Sequence, residues 1–276
     1  MSVFSKVKSF FAAHKAARVM LAAAVILLAL VLRGVLDRFG LWGAVIALCL
    51  PTLCLMPVLL LLRKADAKQV ESTQPLLRPL LRLAFHDRSY RLLALAFFTC
   101  GFHMAIIETH LYTQFTSYGF TEQSVTYAFS IYGIATMAGS VVSGYLGSRF
   151  PMKTVLGCFY ASRTLWIVGF LLLHKSPANM YLFAILLGFT GMATVPPTSG
   201  LIGRLFGPAA LGTLFGVAFL FHQVGSFVSA WIGGLAVTAT GGYTLIWCID
   251  AALCVAAAVF AFRVRTPDAR KESLMK

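Results

Sequence analysis

The chain has 276 residues, of which 59% are hydrophobic and 12% charged, about half the charged share of an ordinary soluble domain. Its 23 Lys and Arg against 9 Asp and Glu give a formal net charge of +14. This surplus does not indicate nucleic acid, because the basic residues sit in short segments between apolar runs, as in the cytoplasmic loops of membrane proteins. The composition therefore predicts an all-α, polytopic protein of the lipid bilayer.

Residues 1–18 are basic, with Lys6, Lys8, Lys15 and Arg18, and suit a cytoplasmic, membrane-surface segment. A first span is expected over about 19–36 and a second over about 41–62, the latter carrying Pro51 and Pro57. Residues 63–91 form the long connection, rich in Arg and Lys, with a short amphipathic piece inside it. Six more spans follow at about 92–114, 124–146, 154–173, 180–202, 211–235 and 243–262, and a basic tail ends the chain. The expected organisation is 1–62 (basic segment and two spans), 63–91 (linker), 92–263 (a six-helix unit) and 264–276 (tail). Eight spans put both termini on the side that carries the Lys and Arg surplus, the cytoplasm, with His174 and Lys175 a mild exception. The six cysteines lie in apolar runs without a CxxC pair and read as small buried hydrophobes. No metal, cofactor or catalytic residue is expected.

The span at 92–114, LLALAFFTCGFHMAIIETHLYTQ, carries His103, Glu108 and His110. Ionisable groups in hydrocarbon cost free energy and mark pathways or partners. At 1.5 Å per residue His103 lies roughly 16 Å into the span, near the middle of a ~30 Å core. A seven-residue spacing puts His103 and His110 on one helix face and turns Glu108 away. The same depth count brings Arg163 in the fifth span and His222, next to Gln223, in the seventh to that level, roughly 14–17 Å from the cytoplasmic side. It places Glu108 and Asp250 in the outer third. A cationic ring at the midplane suits a carboxylate-bearing solute, and histidine can carry a coupled proton. The competing reading is structural: His222 and Gln223 bonding across helices, Arg163 paired with Asp250 or Glu108. Pro196-Pro197 interrupts the sixth span, and small residues from Ala135 to Gly144 let the fourth helix approach a neighbour.

Four segments carry a resemblance: CGFHMAIIETHL at 100–111, SVVSGYLGSRFPMKTVLG at 140–157, TVPPTSGLIGRLFG at 194–207 and GTLFGVAFLFHQVGSFVSAWIGG at 212–234. From about residue 92 onward the chain resembles the carboxyl-terminal half of a major facilitator superfamily transporter, near the bacterial monocarboxylate and oxalate/formate-like branch. The segment GYLGSRFPMK is similar to that family's cytoplasmic gating loop: Gly144 and Arg149 match and Lys153 holds a usual basic position. Ser148 replaces the family's acid and Pro151 its glycine. By this resemblance the eight spans correspond to helices five to twelve, and the first four are absent. It implies a transporter moving a small solute, an organic anion, by proton-coupled alternating access in the bacterial inner membrane. The expected pathway residues are His103, Glu108, His110, His222, Gln223 and Arg163. A rival expectation is a truncated, non-transporting remnant or scaffold acting through a second chain that supplies the missing helices. An enzyme is not expected, because no metal-spaced His/Asp cluster, nucleophile elbow or phosphate-cradling glycine loop is present in the sequence.

Overall fold

The computed structural model describes residues 77–266, together with 38–40, 42–43 and 46. The chain divides into two compact units, Met1–Thr73 and Gln74–Lys276. The first two expected spans lie almost wholly outside the described residues.

Within Gln74–Lys276 the described residues are helical and no strand occurs among them. Helix α1 is Leu77–His86 and α2 runs Arg88–Ser117. Helix α3 is Glu122–Arg149 and α4 is Met152–Leu172. Helices α5, Pro177–Gly191, and α6, Val195–Phe206, form one span broken at Met192–Thr194. Helix α7 is Pro208–Thr240 and α8 is Thr244–Phe262. Six of these spans are long and apolar enough to cross a membrane, so the protein is an all-α polytopic membrane protein. Helix α1 is the amphipathic piece expected before the third span: Leu80 and Ala84 are buried while Arg78 and Arg82 face out.

The ends of the helices follow from capping chemistry. Asp87 caps α2 by accepting from the Ser89 and Tyr90 amides at 2.7 and 3.1 Å, which starts this helix four residues earlier than expected from hydropathy. Ser176 caps α5 ahead of Pro177 in the first turn. Gly207 and Gly241 bound α7 with φ of 82° and 69°, a region glycine enters without steric cost. Lys175, between α4 and α5, donates to the carbonyls of Phe170 and Leu173 and lies 4.2 Å from the Phe170 ring centroid. Burial lowers its pKa from the ordinary ammonium value. The cation that stood against the charge rule is therefore a cap on the end of α4.

Three helix pairs make the bundle: α2 with α7, α3 with α5, and α4 with α8, with α2 also packing on α8. The first two pairs approach through glycine. A Cβ at Gly101 of α2 would stand 1.9 Å from the His222 carbonyl oxygen, and one at Gly225 of α7 2.1 Å from that of Phe98. A Cβ at Gly139 of α3 would stand 1.8 Å from the Phe189 carbonyl oxygen. Small residues thus bring backbones together where water cannot drive association. One apolar cluster gathers Tyr90, Phe97, Leu156, Leu201 and Leu214, and another gathers Phe102, Phe115, Phe170, Phe183 and Trp247.

Candidate functional site

The interior of the bundle holds polar side chains from several helices. His103 of α2 and Asp250 of α8 are 0% exposed, and His103 Nδ1 shares a hydrogen bond with Asp250 Oδ2 at 2.6 Å. Cys254, one turn along α8, donates weakly to Asp250 Oδ1 at 3.9 Å. The edge of Trp247 meets the His103 ring, and Trp247 donates to Gln114 at 2.7 Å. His103 Nε2 has no partner among the described residues.

His103, Asp250 and Cys254 each offer a ligand atom within 4.8 Å of the others. The geometry is that of a hydrogen bond, not of a metal centre. Two ligands about 2.0–2.2 Å from one tetrahedral ion stand roughly 3.3 Å apart, whereas the His103–Asp250 separation is 2.6 Å.

Arg163 of α4 is also fully buried. Its Nη2 donates to the carbonyls of Thr190 at 2.7 Å and Gly191 at 2.6 Å, and to Thr194 Oγ1 at 3.3 Å. They lie where the sequence breaks the span. Pro196 and Pro197 lack the N–H groups that would close on Met192 and Ala193, and the Val195 amide turns back to Met192. The backbone tightens into a 3₁₀ turn, and the end of α5 presents the negative pole of its dipole. The Arg163 guanidinium occupies that pole, and Ser143 of α3 donates to the Ala193 carbonyl beside it. Arg163 Nη2 also reaches Cys100 Sγ at 3.7 Å, and Cys100 lies 3.1 Å from Thr194 Oγ1. Its Nε and Nη1 have no partner among the described residues. Tyr160 lies under the guanidinium at 5.1 Å and donates to the Ala96 carbonyl at 2.7 Å.

His222 of α7 is 9% exposed, stacks on Phe219 and donates to Gln223 at 3.1 Å. Gln223 itself is exposed. The shared depth of His103, Arg163 and His222 holds, since Arg163 touches Cys100 and the Gly101 backbone meets that of His222.

Two expectations are corrected. His103 and His110 do not share a face. The turn Ile107–Leu111 is π-helical, and its wider i→i+5 winding rotates everything beyond it. His103 therefore meets α8, whereas His110 Nε2 lies 3.2 Å from the Ala230 carbonyl and against Gly233 of α7. Glu108, inside the π turn, is exposed. Arg163 pairs with neither Asp250 nor Glu108: helix-end carbonyls take its charge.

Of the expected gating residues, Gly144 is exposed with open space around it. Arg149 ends α3 with its guanidinium 5.6 Å from the Tyr145 ring centroid. Lys153 lies in the first turn of α4. The residues that sequence reasoning missed are Cys100, Thr194, Tyr160 and Cys254. Cys100 and His103 are one turn apart on α2 and Asp250 and Cys254 one turn apart on α8, and that spacing was the available signal.

Known proteins share this architecture in sequence. The chain is 29% identical over 168 residues to an uncharacterised MFS-type transporter, YcxA of Bacillus subtilis (strain 168), covering 58% of this chain and 40% of that protein. It is 25% identical over 158 residues to an MFS-type transporter of Gibberella moniliformis, covering 57% of this chain and 38% of that one. It is 22% identical over 164 residues to Monocarboxylate transporter 13 of Bos taurus, covering 59% of this chain and 38% of that one. The chain thus spans about two-fifths of the length of these relatives. The Major Facilitator Superfamily pattern matches residues 111–275, and the chain belongs to that superfamily.

Proposed function

We propose that this bundle is part of a secondary transporter that moves a small organic anion together with a proton by alternating access. The observation that carries the reading is the His103–Asp250 pair, two titratable groups held at 2.6 Å without solvent. The pair is neutral overall whether the shared proton sits on the imidazole or on the carboxyl. One further proton makes it cationic, and a low-dielectric interior amplifies that charge. A bound carboxylate would cancel the charge, so proton and anion favour each other's binding, which is the energetic coupling a symporter needs. Buried His222 with its exposed neighbour Gln223, and Glu108 and His110 along α2, are the groups we assign to the solute path. Arg163 holds the broken helix and adds positive potential to it. Gly144, Arg149 and Lys153 are assigned to gating at the basic end, which we place in the cytoplasm, with the bacterial inner membrane as the location. The Monocarboxylate transporter 13 relative supports an organic anion as the solute.

The test is uptake of radiolabelled lactate or oxalate into proteoliposomes under an imposed pH gradient. Uptake that rises with an inward proton gradient and collapses in Asp250→Asn, with the variant still helical, supports the proposal. Gradient-independent uptake, or wild-type rates in that variant, overturns it.

A second reading has its own observation. Within Gln74–Lys276, helices α3 and α7 leave large apolar side chains exposed, among them Ile134, Met137, Val141, Phe227 and Trp231. Such faces suit a further bundle, and a scaffold acting through a partner chain predicts a second protein that co-purifies in mild detergent while substrate-linked proton flux is absent.

A further inference from the structure

At the end of the bundle where α2 and α4 begin and α8 finishes, a recess of about 370 Å³ is lined by Arg88, Lys153, Phe262, Arg263, Val264 and Arg265. Four of these are cations from three segments of chain, and none of the described residues that line the recess is acidic. Among the described residues no carboxylate lies within ion-pair reach of any of them. Asp87, beside Arg88 in sequence, directs its carboxylate to the Ser89 and Tyr90 amides.

The recess is also fixed in shape. Ser89 Oγ donates to the Arg265 carbonyl at 3.2 Å and accepts from the Arg265 amide at 3.1 Å. These two bonds tie the chain leaving α8 to the start of α2, and Val264 between Arg263 and Arg265 is completely buried. Like charges are thus held close at a Coulombic cost that a bound anion relieves. Guanidinium groups favour phosphate oxygens, which they can engage through two parallel hydrogen bonds.

A second feature narrows the anion. Ala252, Val255, Val259 and Phe262 are exposed on α8 at helical spacing, and Phe262 reaches the recess. An apolar stripe therefore runs along the outside of the bundle and ends at the cationic pocket. We propose that this recess binds the phosphate of an anionic phospholipid whose acyl chains lie along the α8 stripe. Basic pockets between membrane helices recognise such headgroups, at about 1 kcal/mol per cation. The site is independent of the transported solute.

Native mass spectrometry of the purified full chain, delipidated and then titrated with phosphatidylglycerol or phosphatidylcholine, tests this. We expect phosphatidylglycerol adducts to persist at concentrations where phosphatidylcholine adducts are lost. The variant Arg88→Gln/Arg263→Gln/Arg265→Gln should weaken phosphatidylglycerol binding about a hundredfold. Replacing the same three residues by Lys should retain most of it, and Arg149→Gln/Arg204→Gln, elsewhere at the basic end, should leave it unchanged. Circular dichroism of each variant separates lost binding from lost folding, and the two-lipid comparison on the wild-type chain stands without any variant. Equal binding of the two lipids, or an equal loss in the Arg149/Arg204 variant, overturns the proposal. Complete displacement by millimolar inorganic phosphate also overturns it, as it shows an ion site without a lipid. A preference that emerges only after deletion of residues 267–276, which carry Asp268 and Glu272, overturns it in favour of the chain's own tail.

Discussion

His103 and Asp250, 147 residues apart in sequence, meet at 2.6 Å with neither side chain exposed. In hydrocarbon neither group is stable alone, so each is the condition for the other.

Removal of one member leaves the other stranded. His103→Leu or Asp250→Leu should cost about 3–5 kcal/mol of stability, the range for an orphaned buried charge. The double replacement His103→Leu/Asp250→Leu should cost less than the sum of the two, because no ionisable group is left behind. Unfolding of the three variants in mixed micelles, read as a double-mutant cycle, measures this. Additive losses would show that the two groups are energetically independent.

Arg163 acts on the backbone of a broken helix, and its geometry makes the prediction specific. Arg163→Met removes the guanidinium donor from the Thr190 and Gly191 carbonyls, and a buried acceptor left unmet costs about 1–3 kcal/mol. Arg163→Lys retains the charge but replaces a planar fork with a single ammonium. Thermal unfolding should rank wild type above Lys above Met, and hydrogen exchange should rise first at residues 190–195.

The backbones of α2 and α7 meet directly at two glycines. Gly101→Ala and Gly225→Ala each place a methyl within 2.1 Å of a carbonyl oxygen, so the helices must separate. Each should destabilise by about 1–3 kcal/mol, and because Gly101 faces His222 while Gly225 faces Phe98, the pair shares one seam and should couple. Gly144→Ala, in open space, should change stability by less than about 0.5 kcal/mol. Chemical denaturation of the four proteins compares them.

Glu108 separates transport from structure. It is exposed and outside the buried network, so Glu108→Gln should leave the unfolding midpoint unchanged. If it lies on the solute path, the same change should shift the pH dependence of proteoliposome uptake. An unaltered pH profile removes Glu108 from the path.

The sequence by itself determined the lipid-crossing helices from about residue 92 onward, because twenty apolar residues in a row have one stable solution in a bilayer. It also indicated the depth shared by His103, Arg163 and His222, since depth is a linear count along a helix of constant rise. The prolines at 196 and 197 announced the break in their span. Rotation about each helix axis was another matter. It depends on the π turn at Ile107–Leu111, on the cap at Asp87 and on which glycines meet which carbonyls, and small changes in any of these swing a side chain to a new neighbour. Only the tertiary structure could therefore decide that His103 takes Asp250, that His110 faces α7 and that helix-end carbonyls, not a carboxylate, receive Arg163. Hydropathy is a sum over one segment, whereas a buried polar partnership is a condition on two segments at once.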